Sequence, residues 1–312
     1  MNLAQRRHAW LRRLALMCAA LVLAVTSLSA FIRLSQAGLG CNDWPQCYGS
    51  RLRDAQQGHP DVATKGDAVM AARLAHRAVA VLALLAVVTM LAICFGNPPW
   101  LHREGLLALA LLALALGLAV LGRWTAGTRV PAVAMGNLMG GFLMLALCWR
   151  LAARAGAPPT HTALNAWARL AAVLLLCQLA LGALVSASYA GLSCASFGEC
   201  VAAADAAGWP WWMLDPWREP VFATTPLPIN PNGALAQVLH RAGALLVLAV
   251  LAPLGWAALR SGRQREGAAL LAMLLVQLAL GLLMAATALP IAAALAHNIV
   301  AALLFATVLR LA

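Results

Sequence analysis

Charged residues are scarce in this chain. They make up 10% of its 312 residues, against about 25% in an average soluble protein, and only 10 of them are acidic. Hydrophobic residues make up 63%. A soluble protein of this size has too much surface to cover with so few charges, so a soluble domain is excluded. The same figures exclude a disordered chain, a collagen and a small disulfide-stapled scaffold. A polytopic membrane protein remains.

Long hydrophobic runs divide the chain into membrane-spanning segments. A hydrocarbon core about 30 Å thick needs about 20 apolar residues for each spanning helix. Eight runs are long enough, and their richness in Leu, Ala and Val is typical of helices rather than of the short alternating strands of a β-barrel. They lie at about 14–33, 70–95, 104–122, 130–151, 165–187, 234–258, 267–288 and 290–311.

The distribution of Lys and Arg predicts the orientation of these spans. With the N-terminus inside, the inner segments carry eleven of these residues and the outer loops eight. The excess is concentrated in short inner loops, where the positive-inside rule has most force, so both termini are expected to be cytoplasmic. The net charge of +12 then reflects topology and attraction to the lipid bilayer. Because the basic residues are dispersed, no nucleic acid partner is expected.

The first run follows four arginines, so a cleaved signal peptide is an alternative interpretation. Its apolar part is long for a signal peptide, and removing it would leave an odd number of spans. A retained helix is therefore favoured, because an even number is needed for the internal repeat.

Two cysteine motifs indicate a tandem repeat. Ala-Gly-Leu-x-Cys occurs at 37–41 and again at 190–194, and in each case a second cysteine, Cys47 or Cys200, follows six residues later. His-Arg pairs occur at 76–77 and 240–241, each near the start of a span. The chain is therefore predicted to be an all-α integral membrane protein with eight transmembrane helices in two tandem four-helix bundles. The N-terminal half is 1–155 and the C-terminal half is 156–312.

The repeated cysteines, Cys41 with Cys47 and Cys194 with Cys200, fall in loops that the topology places outside. An oxidising compartment permits disulfides, and a six-residue separation closes a small loop easily. A metal site is the competing hypothesis, but no nearby histidine completes a zinc ligand set, so disulfides are favoured. The other cysteines lie in spans, where small apolar packing is expected: Cys18, Cys94, Cys148 and Cys177.

Histidine is costly inside a membrane span and asks for a partner or a function. His240 and His297 lie at similar depths, about 10–12 Å from the outer ends of neighbouring helices. Two neutral imidazoles at equal depth suit the axial ligation of a haem iron within a helical bundle. Arg241 would then pair with a haem propionate. The simpler interpretation is hydrogen bonding between helices, with Arg241 reaching the interface.

The first half carries only one histidine of this kind. His76, followed by Arg77, occupies the place that corresponds to His240, but the position that corresponds to His297 is Asn137. Asparagine is a poor ligand for iron. A haem in the first half would therefore have one axial ligand and an open sixth position, which suits either a reaction with oxygen or a degenerate site.

The segment from Arg33 to Cys47, Arg-Leu-Ser-Gln-Ala-Gly-Leu-Gly-Cys-Asn-Asp-Trp-Pro-Gln-Cys, resembles the first outer loop of the haem A synthase family. These are cytochrome oxidase assembly proteins of bacterial and mitochondrial inner membranes. The His-Arg pairs, the stretch Gly122–Thr125 and the eight-span repeat extend the resemblance over nearly the whole chain.

The resemblance implies oxidation of the C8 methyl group of haem O to a formyl group, giving haem A. It implies molecular oxygen as the oxidant and haem b as the cofactor that delivers electrons. His240 and His297 match the ligands of haem b, with Arg241 and Arg77 as further haem-binding residues, and His76 matches a histidine of the substrate site. The expected partners are haem O, haem O synthase and cytochrome oxidase assembly factors. The expected location is the bacterial inner membrane.

Two residues depart from the pattern of this family. Glu is usual three residues before the first His-Arg pair, where this chain has Arg73, and His is usual where it has Asn137. A carboxylate accepts protons during an oxidation, and Arg cannot replace it in that role. A non-catalytic haem-binding or assembly protein is therefore the alternative hypothesis. A transporter is a further alternative, because tandem membrane repeats are common among transporters.

Two other features carry expectations about packing. Gln178 and Gln277 each begin a Gln-Leu-Ala-Leu-Gly motif within a span, and each is expected to bond to a neighbouring helix, with the glycine allowing close approach. The outer loop 205–233 contains six prolines and four tryptophans. Contact with lipid headgroups is favoured for this loop over a lid on the haem pocket.

Overall fold

The computed structural model describes residues 3–34, 67–125, 130–155, 163–220, 230–287 and 289–312. Within these ranges all regular structure is helical, with nine α-helices. Eight of them are long and apolar enough to cross a membrane, which confirms the predicted all-α membrane protein. In chain order the helices are α1 (Leu3–Leu34), α2 (Asp67–Phe95), α3 (His102–Thr125), α4 (Pro131–Arg154), α5 (Ala163–Ala187), the short α6 (Phe197–Ala206), α7 (Ala234–Arg260), α8 (Gln264–Ala286) and α9 (Ile291–Leu311).

The ends of the spanning helices agree with the hydropathy pattern except at the start of α1. That helix begins at Leu3 instead of near residue 14. Its first turns contain arginines, which lower the hydropathy but are good helix formers. Elsewhere proline and positive φ angles mark the ends. Pro131 is the first residue of α4, and Gly262 turns the chain between α7 and α8 with a φ of 84°.

The helices pack in the same order in the two halves. In the N-terminal half α1 packs on α2 and α4, and α3 packs on α2 and α4. In the C-terminal half α5 packs on α7 and α9, and α8 packs on α7 and α9. The halves meet where α4 packs on α5 and α9, and where α1 packs on α9. The division into two tandem four-helix bundles stays a prediction.

Small residues allow the helices to approach closely. A Cβ atom on Gly267 of α8 would lie 2.7 Å from the carbonyl oxygen of Gly255 on α7, so these two helices have almost no space between their backbones. Such contacts are typical of helices that associate within lipid, where dispersion replaces the hydrophobic effect as the driving force.

Three cysteines within the spans, Cys18, Cys94 and Cys148, are fully buried, as predicted. The packing role predicted for Cys177 is wrong, because its side chain is exposed. It is adjacent to the buried Gln178, and successive residues of a helix point about 100° apart.

The bundle has two different ends. We call the end where Cys194 and Cys200 form a disulfide the disulfide end. The opposite end, where α1 begins and α9 finishes, is the termini end. Ionic contacts between helices close the termini end. His8 contacts Glu104 at 3.3 Å, and Arg310 contacts Glu266 at 3.1 Å.

Arg7 joins α1 to the C-terminal end of α2. Its Nε and Nη2 atoms donate to the carbonyl oxygen of Ile93 at 3.1 and 2.6 Å, and Nη2 also donates to that of Cys94 at 3.1 Å. Nη1 donates to the carbonyl of Pro99 at 2.8 Å. The last carbonyls of a helix lack partners within the helix, so a guanidinium is well suited to cap them.

Replacing Arg7 with Ala should lower the free energy of unfolding by about 1–3 kcal/mol, because the carbonyl groups lose charge-assisted donors. Thermal unfolding of the purified protein in detergent would measure the change. Arg6→Ala is the matched control, since Arg6 is exposed on the adjacent position. An equal loss of stability in both variants would contradict the capping role.

Candidate haem-binding site

The two histidines of the C-terminal half occupy the same position in their helices. His240 is the seventh residue of α7, and His297 is the seventh residue of α9. Both helices begin at the disulfide end, so with a rise of 1.5 Å per residue each histidine lies about 9 Å from the start of its helix. Both side chains are half-buried.

A glutamine from the preceding spanning helix holds each ring. Gln178 of α5 is buried, and its Nε2 lies 3.0 Å from Nδ1 of His240 and donates to the carbonyl oxygen of the same residue at 2.8 Å. Gln277 of α8 places its Nε2 at 2.9 Å from Nε2 of His297. The glutamines therefore bond between helices, as the sequence predicted, and their partners are the two histidines.

These contacts are the interhelical hydrogen bonds that the simpler interpretation of the histidines expects. Each of them occupies one ring nitrogen only. Nε2 of His240 and Nδ1 of His297 have no hydrogen bond from the described residues. Nε2 of His240 is therefore available to another partner, whereas at His297 the available nitrogen is Nδ1 and Gln277 occupies Nε2.

A glycine lies beside each ring, four residues after the glutamine. A Cβ atom on Gly182 would lie 2.8 Å from Cε1 of His240, so any larger residue would displace the ring. On Gly281 it would lie 3.5 Å from Cε1 of His297, which is an ordinary contact. Glycine is thus required at position 182 beside His240, whereas position 281 beside His297 has space for a small side chain.

Arg241 points toward the disulfide end. Its Nε donates to Oε1 of Gln237 at 3.2 Å, and Nη1 donates to the carbonyl of Ala195 at 3.1 Å. Gln237 in turn donates to the carbonyls of Ala190 and Gly191 at 3.1 and 2.9 Å. These bonds hold the repeated cysteine motif against the first turns of α7 and use two of the five N–H groups of the guanidinium.

The disulfide loop covers the start of α7. Cys194 and Cys200 are bonded, with Cα atoms 5.1 Å apart, and Cys200 is fully buried in α6. Ser196 and Glu199 form a capping box at the start of α6. The other predicted pair, Cys41 and Cys47, lies outside the described residues, as does most of the motif that ends at Cys47.

The loop that follows α6 reaches the N-terminal half. The amide of Ala132, in the first turn of α4, donates to the carbonyl of Pro216 at 2.7 Å. Leu214 and Met135 belong to one apolar cluster at the junction of the halves. The side chain of Trp217 is 74% exposed. This loop therefore bridges the two halves and also presents a tryptophan outward, as contact with lipid headgroups requires.

The residues predicted for the first half, His76 and Arg77, share one helix. His76 is the tenth residue of α2 and is half-buried, as is Arg73 one turn before it, while Arg77 is exposed. Asn137 is the seventh residue of α4, so it has the register that His240 and His297 have in their helices. The glycine of the matching motif in α3, Gly117, is exposed, and a Cβ on it would meet nothing within 4 Å.

Sequence reasoning singled out the two glutamines but missed that they contact the histidines. A signal was present in the spacing. Each glutamine lies nine residues before the last residue of its helix, and each histidine lies six residues after the first residue of the next spanning helix. Antiparallel helices joined at one end bring such positions to similar depth.

Comparisons with known proteins agree with the architecture. Residues 12–309 match the model of a family described as cytochrome oxidase assembly protein. Heme A synthase from Shewanella oneidensis is 30% identical over an alignment of 327 positions, which covers 97% of this chain and 94% of that protein. This multi-pass membrane protein therefore belongs to the cytochrome oxidase assembly protein family.

Proposed function

We propose that this protein forms haem A for cytochrome oxidase by oxidising the C8 methyl group of haem O to a formyl group in the bacterial inner membrane. The family supports a role in haem A formation, and the aligned relative is named for it. The structural observation that carries the proposal is the pairing of His240 and His297 at one register, each with a glutamine and a glycine beside it.

The residues of the C-terminal half fit a haem better than a metal ion held by protein alone. In the described ranges no three His, Cys, Asp or Glu side chains come together, whereas a haem iron needs only two axial ligands from the protein. Nδ1 of His297 and Oε1 of Gln178 and Gln277 are buried without a hydrogen-bond partner. Buried polar atoms of this kind are expected where a bound group completes the site.

His240 and His297 would hold haem b, which when bound would supply one-electron transfer chemistry. Arg241 has N–H groups beyond the two that bond to Gln237 and Ala195, so it is suited to a propionate at the disulfide end. Its bonds to the disulfide loop fix the direction of the guanidinium. The loop itself packs on the first turns of α7.

His76 would position haem O in the N-terminal half, with Arg77 available to a propionate. The change from methyl to formyl adds one oxygen atom, removes two hydrogen atoms and takes four electrons from the carbon. Dioxygen as the oxidant takes up these four electrons, so that one oxygen atom enters the formyl group and the other leaves as water with the two hydrogens. Arg73 lies one turn before His76 and cannot accept the released protons. Proton transfer in this chain must therefore use another group or water.

The alternative is a protein that binds haem without converting it. It is favoured by Arg73 and by Asn137, which stands at the register of the second histidine. Family membership favours either haem hypothesis over the transporter.

Purified protein should show the spectrum of a low-spin b-type haem. Substituting His240 or His297 with Ala should remove at least about 90% of that absorbance, because each histidine would supply one of the two protein ligands that hold the iron. Optical and electron paramagnetic resonance spectra would measure it. His102→Ala is the control, since His102 is exposed at the termini end. An unchanged spectrum in the His240 or His297 variant would reject the ligand assignment.

Pigment extraction tests the reaction itself. Cells that lack their own synthase but make haem O should accumulate haem A when this chain is expressed. With His76→Ala they should retain haem O, while the b-type spectrum of the C-terminal half persists. Mass spectrometry of the extracted haems would distinguish the two pigments. Haem O alone in cells with the unaltered, haem-loaded protein would favour the non-catalytic alternative.

A further inference from the structure

We infer that Gln178 and Gln277 are positioning residues with opposite effects on haem: Gln178 supports His240 as a ligand, and Gln277 competes with iron for His297. The inference rests on the proposed function, because it assumes that both histidines bind one haem iron. It follows from which ring nitrogen each amide contacts.

The contacts between a glutamine and a histidine have no counterpart at the corresponding positions of the N-terminal half. Each lies in a Gln-Leu-Ala-Leu-Gly motif, at the same distance from the end of its helix. Aligning the halves by their shared motifs places Val25 and Ala113 at the corresponding positions of the N-terminal half. Neither can hold an imidazole, so the fold does not require a glutamine at these places.

Gln178 contacts Nδ1 of His240, and Nε2 of that ring has no hydrogen bond from the described residues. When Nε2 of a histidine binds iron, the ring proton resides on Nδ1 and needs an acceptor, which fixes the orientation of the ring and raises its basicity. Gln178 is 3.0 Å from Nδ1, and its Oε1 is buried without a partner. Rotation of the amide exchanges its bond to the carbonyl of His240 for a bond from Nδ1–H to this oxygen.

Gln277 contacts Nε2 of its histidine, not Nδ1. Its Nε2 lies 2.9 Å from Nε2 of His297, the ring atom that a helical histidine usually offers to haem. This atom has one lone pair, so an amide N–H and iron exclude each other there. Breaking the amide contact costs about 1 kcal/mol net. Removal of the amide should therefore tighten haem binding about fivefold, since 1.4 kcal/mol corresponds to about tenfold.

Two substitutions of Gln178 should shift the midpoint potential of the haem in opposite directions. In Gln178→Glu a carboxylate accepts more strongly from Nδ1–H and stabilises ferric iron, which lowers the potential. In Gln178→Leu the acceptor is lost, which raises the potential and weakens haem retention. A glutamine that only filled space would give no such pair of opposite shifts.

The experiment compares Gln178→Leu, Gln178→Glu and Gln277→Leu in the full-length protein. Redox titration, electron paramagnetic resonance and the dissociation constant of added haem are the readouts. Cys177→Val and Val276→Ala are the matched controls, because each changes the exposed residue directly before a glutamine. Circular dichroism checks folding, and Gln178→Glu keeps the size of the side chain if Gln178→Leu does not fold.

We expect a lower potential in Gln178→Glu, a higher one in Gln178→Leu and tighter binding of haem in Gln277→Leu. Potentials and affinities equal to those of the control variants would overturn the inference while leaving the haem site intact. Weaker binding in Gln277→Leu would overturn the competing role of Gln277. A colourless protein, with no binding of added haem that depends on His240 and His297, would instead overturn the proposed function.

Discussion

The structure depends on one constraint: in hydrocarbon, a polar group must find its partner inside the protein. The backbone meets this constraint by forming helices, and the few polar side chains within the spans meet it by pairing across helices. Gln178 with His240 and Gln277 with His297 are such pairs. Within the described residues, Oε1 of each glutamine and Nδ1 of His297 remain buried without a hydrogen-bond partner.

The same constraint explains the contrast between the halves. Where a histidine stands at the seventh residue of α7 or α9, the neighbouring helix supplies a glutamine and a glycine. In the first half the corresponding register of α4 holds Asn137, and Gly117 of α3 faces outward. The two halves thus share a packing order of their helices but present different side chains at corresponding positions.

At the disulfide end, a loop adds to the helix packing that joins the halves. Arg241 and Gln237 tie the Cys194–Cys200 loop to α7, and the chain beyond α6 continues to the first turn of α4 through Pro216. Substitutions in this loop would therefore act on both halves. The termini end has no comparable loop in the described residues and is held by single side chains such as Arg7 and Glu266.

The sequence by itself determined the eight spans. Hydropathy averaged over about 20 residues is a local property, and about 20 apolar residues of helix are what the bilayer core requires. It also placed His240 and His297 at equal depth, because depth depends only on counting along a helix. The direction in which a side chain points around its helix axis, relative to the other helices, cannot be found by counting residues. Only the tertiary packing decided that Gln178 faces a histidine while Cys177 faces outward, and which nitrogen of each ring an amide contacts. Those choices depend on how neighbouring helices fit together, through distant residues that no local pattern relates.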